Sequence, residues 1–121
     1  MKERIYVAGP YTAKDCTLHG ATKQVQQNVD RAIAVGNAIL LKGHYAFVPH
    51  LSHYQHIHHS MTVDLGVLWY DIDNTYIDHW ATAFFYIAPS YGADMELTRA
   101  ESLGLKIYRN LNEITNEFKD Y

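Results

Sequence analysis

The segment Ala83-Phe84-Phe85-Tyr86-Ile87 constrains the fold of this chain more than any other feature. Five consecutive apolar residues leave no face for water, and a run this short suits a strand covered on both sides, as in parallel sheets. Pro89-Ser90-Tyr91-Gly92 breaks it. Such a strand demands helices above and below, and the neighbouring sequence supplies them. Arg4 to Ala8 reads as a buried strand stopped by Gly9-Pro10, with a polar loop from Tyr11 to His19. From about Thr22 to Lys42 the pattern is helical, with Val25, Val29, Ile33 and Leu40 on one face and Gly43 as the C-terminal cap. Tyr45 to Val48 is a second strand, closed by Pro49, and His50 to His59 forms a connection with some helical turn. Met61 to about Trp80 reads as a helix with Leu65, Leu68 and Trp69 at apolar positions. After the apolar run come a helix from Ala93 to Leu103, a break at Gly104 and a strand from Leu105 to Tyr108. An amphipathic helix from about Leu111 to Phe118 is expected to end the chain.

Strands alternating with helices predict an α/β three-layer sandwich: a parallel sheet of four to five strands, flavodoxin-like or Rossmann-like, with helices on both faces. The chain of 121 residues suits one domain, spanning 1–121. In such sheets ligands bind beyond the carboxyl ends of the strands, near the switch in strand order. Those ends are Gly9 to Thr12, Pro49 to His53 and Pro89 to Gly92.

Charge narrows the choice of ligand. A net charge of −3 argues against a nucleic acid polymer, whose binding depends on Lys and Arg neutralising phosphates. A small anionic metabolite needs only two or three local donors. Cys16 is the only cysteine, which fits a reducing, cytoplasmic setting. Met1 to Arg4 runs straight into a strand without a signal-peptide apolar segment, and Trp80 to Ala88 is about half of a membrane helix. A soluble protein with no membrane partner is expected.

Two segments carry candidate chemistry: Ile5-Tyr6-Val7-Ala8-Gly9-Pro10-Tyr11-Thr12, and Ser90-Tyr91-Gly92-Ala93-Asp94-Met95-Glu96-Leu97. Gly9 and Gly92 would let the backbone approach a ligand closely. Ser90 can cap the following helix, whose free N–H groups form an anion site. Glu96 falls in the first turn or so of that helix, beside the same pocket. The helix dipole favours its ionised form by ~0.5–2 kcal/mol, while complete burial raises a carboxyl pKa by roughly 3–5 units. At an open rim the charged form is expected to win. The plain alternative is that Asp94 and Glu96 are acidic residues at a helix start because the dipole favours them.

Together these segments resemble the nucleoside 2-deoxyribosyltransferase superfamily, including the 2'-deoxynucleoside 5'-phosphate N-hydrolases. That family opens with a tyrosine-bearing strand running into a glycine loop, as Tyr6 to Thr12 does. It also carries Ser-x-Gly-x-x-x-Glu-Leu ahead of a helix and a final strand, as Ser90 to Leu97 does. The resemblance implies that Glu96 is the nucleophile and that Tyr6 contacts it and the sugar. Ser90 matches a residue meeting the 5' end of the substrate; serine there goes with a monophosphate, aspartate with a free nucleoside. A second carboxylate should come from the helix before the third strand. Asp73 is chosen within Trp69 to Asp78, and a shift of one residue would put Asn74 there and leave the acid/base role empty. Asp71 and Asp78 read as solvated helix surface.

The chain also departs from the family pattern. An aspartate common at the start of the third strand is replaced by Ala81-Thr82, and Thr12 stands where the hydrolases carry a phosphate-binding arginine. Lys14 or a histidine of the second loop could substitute, with His50 and His53 best placed. His50, His53, His56, His58 and His59 also invite a metal reading, but no HExxH pattern accompanies them. Tyr11, Tyr45, Trp69 and Tyr91 read mostly as core or rim packing, and one of them could stack on a base. The expected site is therefore Glu96, Asp73 and Tyr6 for catalysis, with Gly9, Pro10, Tyr11, Thr12, His50, His53, Ser90 and Gly92 for binding. No cofactor or metal is expected. The activity implied is cleavage of the base from a (deoxy)nucleoside 5'-monophosphate through a glycosyl-Glu intermediate. A transferase on free nucleosides, a non-catalytic nucleotide-binding module and a metal-dependent hydrolase are the rivals. The resemblance also implies a homo-oligomer.

Overall fold

The computed structural model describes residues 2–12, 18–57 and 66–118. Four strands, β1 (Arg4–Ala8), β2 (Tyr45–Phe47), β3 (Ala83–Tyr86) and β4 (Lys106–Tyr108), form one sheet in the order β2-β1-β3-β4. Every pairing is parallel, with Tyr6 opposite both Phe47 and Phe84. The helices are α1 (Leu18–Leu41), α2 (Ser52–Ile57), α3 (Gly66–His79) and α4 (Tyr91–Ser102), and short 3-10 turns lie at Pro49–Leu51 and Leu111–Glu113.

Alternation along the strands divides the core into two layers. Ile5 and Val7 of β1 join Ala83 and Phe85 of β3 against Ala32 and Ile39 of α1. Tyr6, Ala8 and Phe84 face the other way, onto Ile77 of α3 and Ala93 and Ala100 of α4. With both faces covered, β1 from Ile5 onward and β3 consist of apolar and aromatic residues, and Arg4 at the start of β1 is exposed. The outcome is the expected three-layer α/β sandwich, with four strands. Strand order reverses at β1: the chain leaves it for β2 on one side and returns to β3 on the other, which opens a crevice above β1.

Details of two helices differ from the expectation. In α1 the buried position is Ile39, while Leu40 is half exposed. The buried stripe of Val29, Ala32 and Ile39 keeps the 3.6-residue period better than a stripe ending at Leu40. Gly43 does end the helix, at φ +88°. The expected helix from Leu111 to Phe118 is absent beyond one 3-10 turn. Ile114 is extended, and the Glu117 N–H donates to the Lys42 carbonyl at 2.7 Å, which pulls the segment across the end of α1. Ile114 enters the core from this extended path. Lys14, Cys16, His58 and His59 lie outside the described residues, as does the expected start of the α3 helix. No described helix is long and apolar enough to cross a membrane.

Candidate active site

A cleft of about 510 Å³ lies above the carboxyl ends of β1, β2 and β3. Gly9, Tyr11 and Thr12 enter it after β1, and Pro49, His50 and Ser52 after β2. Trp69, Tyr70 and Asp73 come from α3; Ser90, Tyr91, Gly92, Ala93 and Glu96 come from the start of α4. All three strand ends expected to bear a ligand therefore contribute.

Glu96 is aimed by two features. Ser90 caps α4, its Oγ accepting the Ala93 N–H at 3.1 Å, which fixes where the helix begins. With Tyr91 as the first helical residue, two positions before the expected start at Ala93, Glu96 falls in the second turn and Asp94 in the first. The Tyr6 hydroxyl then donates to Glu96 Oε2. Tyr6 is fully buried, stacked on Phe84 at 5.7 Å, so its hydroxyl is a fixed donor.

Electrostatics correct one expectation. Burial pushes the Glu96 carboxyl up to about 7; the Tyr6 hydrogen bond opposes this and the Asp73 charge adds to it. The dipole is weak at the second turn, so Glu96 is poised between its two forms at neutral pH rather than held as the anion. Burial likewise pushes Asp73 up to about 7. The Tyr6 phenol is held well above its usual range, first by burial and then by the Glu96 and Asp73 charges. Two carboxyls of near-equal pKa in one cleft titrate as a pair, and the singly protonated state offers one acid and one base together.

The register on α3 is clear. Asp73 lines the cleft, and Asn74 is buried at 8% exposure and does not. Asp71 is exposed, and Asp78 accepts two hydrogen bonds from the Arg99 guanidinium on α4. Both fit the expected surface role.

Other candidates land less directly. Gly92 is open, with nothing within 4 Å of a side chain placed there, whereas Gly9 is pressed against Ile87 at 3.0 Å. The need for glycine at Gly9 comes from Ile87. Pro10 and His53 sit outside the cleft wall. The Pro10 carbonyl meets His50 Nε2 at 3.1 Å, and His53 Nδ1 pairs with the Tyr11 hydroxyl at 2.8 Å. The Gly9 carbonyl also meets His50 Nε2 at 3.1 Å, and burial lowers the His50 pKa. His50 is therefore a neutral imidazole at physiological pH, unsuited to replacing the absent arginine. Among the described residues, no group of three His, Cys, Asp or Glu side chains converges as metal ligands. Thr82 accepts the Arg4 N–H at 2.8 Å at the opposite end of the sheet, so that departure does not touch the cleft.

Sequence reasoning missed Tyr70 as a wall residue; Trp69 and Tyr91, expected as core or rim packing, line the cleft beside it. The signal was their placement: Trp69 and Tyr70 stand one helical turn before Asp73, and Tyr91 follows the cap Ser90. Tyr45 lies on the edge strand beneath Lys2, away from the site. Compared with known proteins, the chain matches no family model and no curated sequence.

Proposed function

We propose that this protein is an N-glycosidase that removes the base from a (deoxy)nucleoside 5'-monophosphate. The observation that carries the reading is the pairing of Glu96 and Asp73, from separate helices, in one cleft with Glu96 anchored by the Tyr6 hydroxyl. Glu96 attacks the anomeric carbon through an oxocarbenium-like transition state, and Asp73 in its protonated form delivers a proton to the departing base. The glycosyl ester formed on Glu96 is then hydrolysed by water. Tyr6 is the positioning residue, since its donor stabilises the carboxylate over the acid.

The 5' group sits at the start of α4, where the Ser90 hydroxyl and the N–H groups of the first turn meet an open Gly92. The resemblance of Ser90 to Leu97 to the deoxyribosyltransferase motif supports the same assignment. It also implies a homo-oligomer, and the single cysteine suits the cytoplasm. A transferase on free nucleosides is the second reading, favoured by the lack of Lys or Arg among the described lining residues.

The test is to incubate the protein with each ribo- and deoxyribonucleoside 5'-monophosphate and measure free base. Glu96→Ala should abolish release while the circular dichroism spectrum stays unchanged. Undiminished release by that variant removes the mechanism. Exchange of base between nucleosides, with little hydrolysis, selects the transferase.

A further inference from the structure

The charge of the cleft says what kind of base it takes. Its described wall carries two carboxylates, Glu96 and Asp73, four aromatic side chains, Tyr11, Trp69, Tyr70 and Tyr91, and no Lys or Arg. His50 adds to this from a position 5% exposed. Its Nε2 lies 3.1 Å from both the Gly9 and Pro10 carbonyl oxygens and so carries the ring hydrogen. Nδ1 is then an enclosed lone pair and, like the Trp69 indole N–H, has no hydrogen-bond partner among the described residues. Carboxylates and aromatic faces both attract positive charge, and the low dielectric of a cleft strengthens each attraction.

We propose that the base end of the cleft takes a nucleoside or nucleotide whose base carries a fixed positive charge, a pyridinium or N7-alkylpurinium glycoside. This deepens the N-glycosidase reading and rests on it for the bond that breaks. A Glu96 carboxylate oxygen forms a bond to C1' while the C1'–N electron pair leaves with the base, whose ring thereby becomes neutral. No proton has to reach a base of this kind, so here Asp73 does not act as the acid it is for a neutral base, and its ionised form holds the cation. In the transition state the positive charge passes from base to sugar and remains beside the carboxylates. Water then attacks C1', releasing Glu96 and passing its proton to Asp73.

The experiment compares two rings of the same shape, the 1-methylnicotinamide cation and neutral 3-methylbenzamide, by calorimetry at pH 8 and pH 5.5. The cation is expected to bind about tenfold more tightly at pH 8. The advantage shrinks at pH 5.5, where Glu96 and Asp73, both at about 7, take up protons. Of the other groups near them, Tyr6 stays a phenol at both pH values, and burial lowers the His50 pKa. Asp73→Asn, nearly the same size, should weaken the cation and leave the neutral ring unaffected. Equal affinities at pH 8, or an advantage that does not change with pH, overturns the proposal. Failure of base release from neutral nucleotides is a separate result and bears on the glycosidase reading alone.

Discussion

The Tyr6 hydroxyl donates its hydrogen to Glu96 Oε2 across 90 positions of sequence, tying the first strand to the last helix. The contact joins core to chemistry. The Tyr6 ring is part of the layer between sheet and helices, while its oxygen reaches the Glu96 carboxylate in the cleft wall. A buried donor in that position favours the ionised carboxylate against the burial that opposes it.

Tyr6→Phe separates the two roles, because the ring and its stack on Phe84 remain. Loss of the hydrogen bond raises the Glu96 pKa further above about 7, since that bond lowers it. Turnover at pH 7 should fall about tenfold and recover in part by pH 8.5, at a stability cost of about 1–2 kcal/mol. A pH–rate profile checks this. A deficit that is constant with pH would assign Tyr6 a purely structural part.

The two raised carboxyls also set the pH dependence of stability. Glu96 and Asp73 stand at about 7 in the folded protein, against ordinary values near 4 when unfolded. Between those values the folded chain holds more protons than the unfolded one. Stability therefore falls as pH rises from about 4 to 7 and levels off above. Asp73→Asn should be about 1–2 kcal/mol more stable than the parent at pH 8 and similar at pH 4. Urea unfolding at the two pH values reads the difference; a less stable variant at pH 8 contradicts the burial account.

Ser90 combines a cap with a ligand contact. Ser90→Ala should cost about 1 kcal/mol through the lost bond to the Ala93 N–H. Ser90→Asp restores a cap but sets a carboxylate against a 5'-phosphate. The ratio of kcat/KM for monophosphate over free nucleoside should then drop about a hundredfold. An unchanged ratio would move the 5' group away from the start of α4.

Two left-handed glycines make a matched stability test. Gly43 (φ +88°) and Gly104 (φ +74°) both penalise a side chain, but only Gly43 is crowded, with the Glu117 and Phe118 backbone 2.5 Å from the added carbon. Gly104→Ala should cost about 1 kcal/mol and Gly43→Ala about 3 kcal/mol or more. Equal losses in thermal unfolding would mean that the extended segment at Ile114–Glu117 is not packed on the end of α1.

The alternation of elements, the crevice above β1 and the placing of Glu96 were legible because each rests on local pattern, whereas Asp73 came from the family resemblance with its register open by one residue. Proline and glycine end the strands, and the Ser90 cap fixes the phase of α4. What stayed hidden depends on contacts between distant segments. Glu113 shows why: its carboxylate accepts the Arg109 and Asn110 N–H groups as at a true helix start, yet the Lys42–Glu117 backbone bond draws the chain out after one turn. The neutrality of His50 depends on burial, and its tautomer on the Gly9 and Pro10 carbonyls, 41 and 40 positions away. The pKa of Glu96 depends on burial, which spacing alone does not convey.

The most direct measurement is mass spectrometry of the protein quenched in acid during turnover of a nucleoside 5'-monophosphate. A sugar phosphate joined to the peptide that contains Glu96 is expected, and none in Glu96→Gln. Free base released with no adduct, or an adduct on another residue, would contradict nucleophilic attack by Glu96.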